Sequence, residues 1–234
     1  MKARLYVAGV LAAVALVLVL AVVVLQFGIS QPSPPSLRDH PRDEIPGSIL
    51  HFDLGGCIVD AAASGRGVER VICPLAGAGY ADTVTWIDEQ TLAYAVTESS
   101  AGQSTWHWVQ VDLVTKRETT LSSLTGQPTR AADPLSVRGE RVSLDPDGYL
   151  YRDSGGDRVR IYELPSNQGA GQFEFATWSP DGEWFLLRYY PKDELWIIRR
   201  DGSVAGTLAS DVRGGASWIV PGVGILPRVD PSLQ

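Results

Sequence analysis

The segment Phe175–Ser203 reads FATWSPDGEWFLLRYYPKDELWIIRRDGS. Its first apolar stretch ends in Trp178 and meets Ser179-Pro180-Asp181-Gly182. There proline presets φ, aspartate tolerates turn geometry and glycine supplies a positive φ. The β-prone run Trp184–Tyr190 follows, Pro191–Glu194 breaks it, Leu195–Arg199 resumes, and Asp201-Gly202 turns the chain again. The pattern predicts three short antiparallel strands within one compact unit.

The same order recurs upstream. Val142–Leu164 reads VSLDPDGYLYRDSGGDRVRIYEL, with Leu144 in place of Trp178, the turn Asp145-Pro146-Asp147-Gly148, and two following strands. Two further copies keep the outline, one led by Phe52 and one by Trp86, and a partial copy runs SWIVPGVGILP around Trp218. The leading residues Phe52, Trp86, Leu144, Trp178 and Trp218 are 34, 58, 34 and 40 positions apart. The long interval holds the polar stretch Thr119–Asp133, read as a loop insertion. Units of this length built from several short strands bury their faces only against one another, as propeller blades do. The expected fold class is therefore all-β, a small or incomplete β-propeller of about four to five blades. An irregular β-sandwich is the competing architecture.

Trp178-Ser179-Pro180-Asp181-Gly182, followed by Glu194-Leu195-Trp196-Ile197-Ile198-Arg199-Arg200-Asp201-Gly202, resembles the WD-like β-propeller repeat of the TolB type. The resemblance implies that Asp147, Gly148, Asp181 and Gly182 shape structural turns between the first two strands of their blades, and that the tryptophan packs between blades. It also implies a bacterial, extracytoplasmic scaffold or protein-binding platform, with no catalytic group nominated.

The stretch Cys57–Cys73, CIVDAAASGRGVERVIC, folds onto itself about Gly65. That register sets Cys57 opposite Cys73, Ile58 opposite Ile72, Val59 opposite Val71 and Asp60 opposite Arg70, four matched cross-strand pairs. Aligned with the repeat, it supplies the second and third strands of the first blade. A Cys57–Cys73 disulfide is expected ahead of two free buried thiols. A metal site is disfavoured because no histidine stands in ligand spacing.

Compartment follows from the N-terminus. Leu5–Leu25 is a run of 21 residues without a charge, long enough at about 1.5 Å per residue to cross a hydrocarbon core of roughly 30 Å. It lacks a small-x-small exit and exceeds a signal-peptide core, so a permanent anchor is expected over a cleaved leader. Lys2 and Arg4 before it predict the N-terminus inside, with a cytoplasmic stub over 1–4, the membrane helix over 5–27, a Pro-rich linker over 28–47 and an extracytoplasmic domain over 48–234. The linker composition predicts an extended, semi-rigid spacer.

Beyond the membrane segment lie 18 of the 20 basic residues and all 27 acidic ones, giving 18 − 27 = −9. That balance argues against nucleic acid and against flat docking on anionic lipid. His40, His51 and His107 accompany no nucleophile-elbow motif, and Asp88, Asp145, Asp147 and Asp181 fall at turns, where short acids hydrogen-bond local backbone. No cofactor, metal or catalytic set is expected. The candidate binding residues are Trp106 and Trp108, which alternate onto one face of a strand and, if exposed, suit a protein or sugar surface. The expected function is a membrane-anchored scaffold that binds a protein partner at or outside the membrane; the alternative is a cell-envelope hydrolase or glycan-binding protein.

Overall fold

The computed structural model describes residues 33–74, 83–100, 103–121, 135–146, 148–164 and 173–225, with the side chains of 97–100 and 103–106 left aside. The expected membrane run, Asp147 and most of the Thr119–Asp133 insertion lie outside these residues. Among the described residues no helix is long and apolar enough to cross a membrane.

Among the described residues sixteen strands build four antiparallel sheets. The Trp86 copy gives β4 (Val84–Asp88), β5 (Thr91–Ser100), β6 (Gln103–Asp112) and β7 (Glu118–Leu121), paired in chain order. The Leu144 copy gives β8 (Arg141–Leu144), β9 (Tyr149–Ser154) and β10 (Asp157–Glu163). The Trp178 copy gives β11 (Phe173–Trp178), β12 (Trp184–Tyr189), β13 (Glu194–Arg199) and β14 (Ala205–Ala209), again in order. The fourth sheet joins the two ends of the domain. It contains β1 (Ser48–Asp53), β2 (Ile58–Ala62), β3 (Val68–Ile72), β15 (Val212–Val220) and β16 (Gly224–Ile225), in the order β16-β15-β1-β2-β3.

The partial last copy thus makes no sheet of its own. Its leading strand β15 lies antiparallel to β1, with Ile49 opposite Trp218 and Phe52 opposite Arg213. A second tie is local to β4, whose Trp86 backbone N–H donates to Ser217 Oγ at 3.1 Å.

Burial alternates as the pleat demands. In the β11–β14 sheet, Trp184, Leu186, Leu195 and Ile197 pack toward the β1/β15 sheet, while Phe185, Leu187, Trp196 and Ile198 pack toward Leu150 of the β8–β10 sheet. The β1/β15 sheet is likewise covered on both faces. Ile49, Ala61 and Trp218 meet the β11–β14 sheet; Leu50, Phe52 and Ile58 meet Trp86, Leu92 and Val109 of the β4–β7 sheet. The sheets therefore stack in the order β4–β7, β1/β15, β11–β14, β8–β10, a propeller-like array. Among the described residues no core cluster joins the first of these to the last.

The leading tryptophans fill the seams. Trp178 is fully buried and meets Phe185 edge-on at 5.3 Å, and Phe173, Tyr189 and Trp196 form a second aromatic group beside it. Each such buried ring contributes a few kcal/mol of apolar transfer at about 25 cal/mol per Å².

The opening hairpin differs in register from the symmetric expectation. Ile58 pairs with Ile72, but a bulge then sets Val59 opposite Arg70 and Asp60 opposite Glu69. The extra residue is Val71, which packs against the apolar seam instead of holding a ladder place. Arg70, freed from Asp60, reaches Asp53 at 2.7 Å.

The segment from Ser33 to Gly47, expected as a spacer, lies along the domain. Ser36 forms a parallel bridge with Thr207 on the outer edge of β14, flanked by Leu37 N–H to Thr207 O and Thr207 N–H to Pro35 O, both 2.9 Å. Such a strap shields an otherwise open edge. Leu37 and Ile45 enter the core, and Trp218 Nε1 donates to Pro46 O at 2.9 Å. Leu37 fits because Gly206 and Gly65 bear no side chain: a Cβ on either would lie within 2.5 Å of it.

Candidate functional site

At the two turns the described residues hydrogen-bond within the turn. Gly182 (φ 72°) closes the Ser179–Gly182 turn with its N–H on Ser179 O at 2.9 Å, and Asp181 Oδ1 accepts from Ser179 Oγ at 2.5 Å and Glu183 N–H at 3.0 Å. Buried Ser179 also takes the Trp184 N–H at 2.9 Å. Gly148 (φ 86°) repeats the closure onto Asp145 O. Asp88 caps its own turn through Gln90 N–H at 2.8 Å. These carboxylates serve backbone.

Cys57 and Cys73 are joined in a disulfide, Cα to Cα 4.0 Å, just beyond the bulge of the β2–β3 hairpin. Removing it with Cys57→Ala and Cys73→Ala together is expected to lower stability by about 3 kcal/mol, because the bridge closes a loop of some sixteen residues in the unfolded chain. Urea unfolding of the oxidised wild type against the double variant reads this directly, and equal midpoints would exclude it.

His51 is buried, with Nδ1 3.3 Å from Phe52 O, and burial holds its pKa below the ordinary value. His40 is exposed and His107 half-buried. Among the described residues no group of three or more His, Cys, Asp or Glu side chains could hold a metal ion.

Because the middle sheets are covered on both sides, the uncovered sheet faces among the described residues lie at the two ends of the stack. At one end, the β4–β7 sheet turns Trp108, Gln110 and Asp112 away from its core face. Trp108 is 2% exposed, closed in beside Ala95, its cross-strand neighbour. The Trp106 side chain lies outside the described residues. Further along this face Gln110, Asp112, Thr115, Arg117 and Thr119 line a shallow depression of about 310 Å³. Asp112 is already committed there, accepting from the Val114 and Thr115 N–H groups, bonds that lower its pKa.

At the other end, the β8–β10 sheet presents a graded polar and aromatic face. Register puts Tyr149 beside Glu163, Tyr151 beside Arg160 and Ser143, and Asp153 beside Arg158 and Arg141. The Arg160 guanidinium lies 3.3 Å over the Tyr149 ring and that of Arg158 lies 4.3 Å over Tyr151. Arg158 also bonds Asp145 and Ser143, the bond to Asp145 raising its pKa, and Ser143 Oγ donates to Asp153 at 2.8 Å. Stacked arginine and tyrosine lose little side-chain freedom on binding, the property that concentrates binding energy in such residues. The alternation YLY and RVR shows this face in the sequence, but only the strand register brings the two pairs together.

A buried ion pair fastens this end sheet to the stack. Glu140, just before β8, is 2% exposed and accepts from Arg200 Nε at 2.6 Å and Nη2 at 2.5 Å, with Arg152 Nε at 3.6 Å. The Arg200 bonds hold the Glu140 carboxyl below its ordinary range and raise the arginine.

Fold and site together define an all-β, propeller-like protein whose distinctive surface is a stacked Arg/Tyr sheet face. No family model matches the chain, and no curated protein does. Solved structures similar to parts of it include an oligogalacturonate lyase in complex with manganese, at 14% identity over 70% of this chain and 50% of that one, with a TM-score of 0.27. A prolyl endopeptidase is similar at 15% identity over 79% of this chain and 30% of that one, with a TM-score of 0.20. The chain spans half or less of the length of either protein, and similarity at this level carries no inference about activity.

Proposed function

We propose that this chain is a membrane-anchored, extracytoplasmic scaffold of the TolB-like propeller kind that binds a protein partner through the outer face of the β8–β10 sheet. The reading is carried by the paired stacks Arg158/Tyr151 and Arg160/Tyr149 on a sheet that forms one end of the array. The sequence adds a charge-free run of 21 residues ahead of the domain. Arg160 suits a test because its nearest acidic contact, Glu163, is 4.0 Å away and exposed. Arg160→Ala is therefore expected to leave the thermal midpoint nearly unchanged, as exposed substitutions do, while removing a central arginine costs a partner at least about tenfold in affinity. Affinity isolation of the full chain from its own membranes, wild type beside variant, gives the measurement. A partner retained equally by both would refute this face as the binding surface.

A further inference from the structure

The strap fixes where the domain stands relative to its anchor. Ser33, the first described residue, is held by Lys192 Nζ, which donates to Ser33 Oγ at 2.7 Å. Three residues on, Ser36 bridges the strap to β14, and Leu37 after it is in the core. The chain is thus locked to the domain from its first described residues, and the spacer that composition suggested is shortened to whatever precedes Ser33.

Five residues, 28–32, separate the expected membrane helix over 5–27 from Ser33. Five residues of chain span at most about 18 Å. Roughly 6 Å of that distance is headgroup layer. The surface beside Ser33 is therefore held close to the lipid headgroups.

That surface is the 3-10 turn Tyr190–Lys192, exposed at all three residues. Its chemistry suits an interface: an amphipathic ring, a proline, and an ammonium group. The nearby carboxylates are each held in a hydrogen bond. Tyr190 OH donates to Glu174, and Asp193 accepts from Arg188 at 3.2 Å. Among the described residues Lys192 has no carboxylate partner; its bond is to the neutral Ser33 hydroxyl. Lys192 thus presents an exposed ammonium beside Ser33, in a domain whose overall charge is negative.

We infer that the Tyr190–Lys192 turn rests on the headgroup layer of the bilayer that anchors the chain, fixing the domain's orientation so that its strapped β14 edge faces the membrane. This rests on the membrane-anchor reading of the N-terminus. It commits to a lipid surface as the occupant of the turn, and it leaves the Arg/Tyr face for the protein partner.

The test uses the full chain, reconstituted in vesicles containing one-third phosphatidylglycerol, with a photo-crosslinking amino acid at Pro191 or, as control, at Val114, which is highly exposed on the far end sheet. Lipid adducts are expected by mass spectrometry at Pro191 and not at Val114. Lys192→Glu is expected to lower the Pro191 adduct yield about fivefold, and to lose that effect in vesicles of phosphatidylcholine alone. Equal adduct yields at the two positions, or none at either in chain that resists alkaline extraction, would overturn the docking while sustaining the anchor. Chain extracted by alkali would overturn the anchor and the docking together.

Discussion

Gly202→Ala is expected to lower stability by at least about 3 kcal/mol, through a misfit that repacking of side chains cannot relieve. Gly202 sits at φ +75° in the β13–β14 turn, and a Cβ there would lie 1.7 Å from the carbonyl oxygen of Ile161 in β10. Backbone meets backbone, so either the turn or the end sheet must move. Gly139 provides the control: its φ is +73°, and nothing lies within 4 Å of the added carbon. Gly139→Ala should cost only the left-handed penalty of roughly 1–2 kcal/mol. Chemical denaturation of both variants separates the two contributions, and equal losses would show that the approach of the turn to β10 is unimportant. The Gly202 variant should also lose binding at the Arg/Tyr face, since Ile161 lies on the strand that carries Arg158 and Arg160.

Glu140→Ala is expected to cost about 3 kcal/mol, because a buried carboxylate removed from an ion pair leaves the arginines uncompensated. Arg200 is 28% exposed and can recover some hydration, which keeps the loss toward the lower end of what breaking a buried pair costs. Protonation should do the same reversibly. Glu140 ionises at a lower pH in the folded chain than in the unfolded one, so its contribution is fully present above its unfolded value near 4.5 and is lost as pH falls through the folded value. Glu140→Gln should flatten that part of the acid limb. Urea midpoints measured between about pH 6 and pH 3 give the comparison, and parallel acid limbs for wild type and Gln variant would remove Glu140 from this role.

Both substitutions act on one seam, between the β11–β14 and β8–β10 sheets, and the sequence shows that seam unevenly. Trp178, its turn and the two strands that follow are written in local chemistry, as are their counterparts behind Leu144. Glu140 and Arg200 stand 60 positions apart, and nothing local marks them as partners. The outer strands β7 and β14, ETTL and AGTLA, are short and carry few large apolar residues, so the Trp86 and Trp178 copies read as three strands where the structure has four. The hairpin between the cysteines looked symmetric because pairing was counted from the turn alone; the demand to seat Val71 in the seam introduced the bulge. The strap was hidden by its prolines. Its signal was Leu37 and Ile45, two apolar residues in an otherwise polar stretch, each of which the fold buries. The Arg/Tyr face was half legible: alternation gave each strand its pair, and register supplied the meeting.

The pairing of β1 with β15 has a bearing on how the chain acquires its structure at all. Ser48 finds its partner at Ile219, so the first strand to be made waits for nearly the whole domain to follow before its open side is filled. Contacts this distant in sequence slow folding, because most of the chain must be ordered before they can reward it. In the interval the β1–β3 hairpins expose an unpaired edge and two apolar faces, a species prone to associate with its own kind. An early disulfide between Cys57 and Cys73 would hold those hairpins in register while they wait. Truncation before Val212 should accordingly yield an aggregating chain, not a smaller folded one.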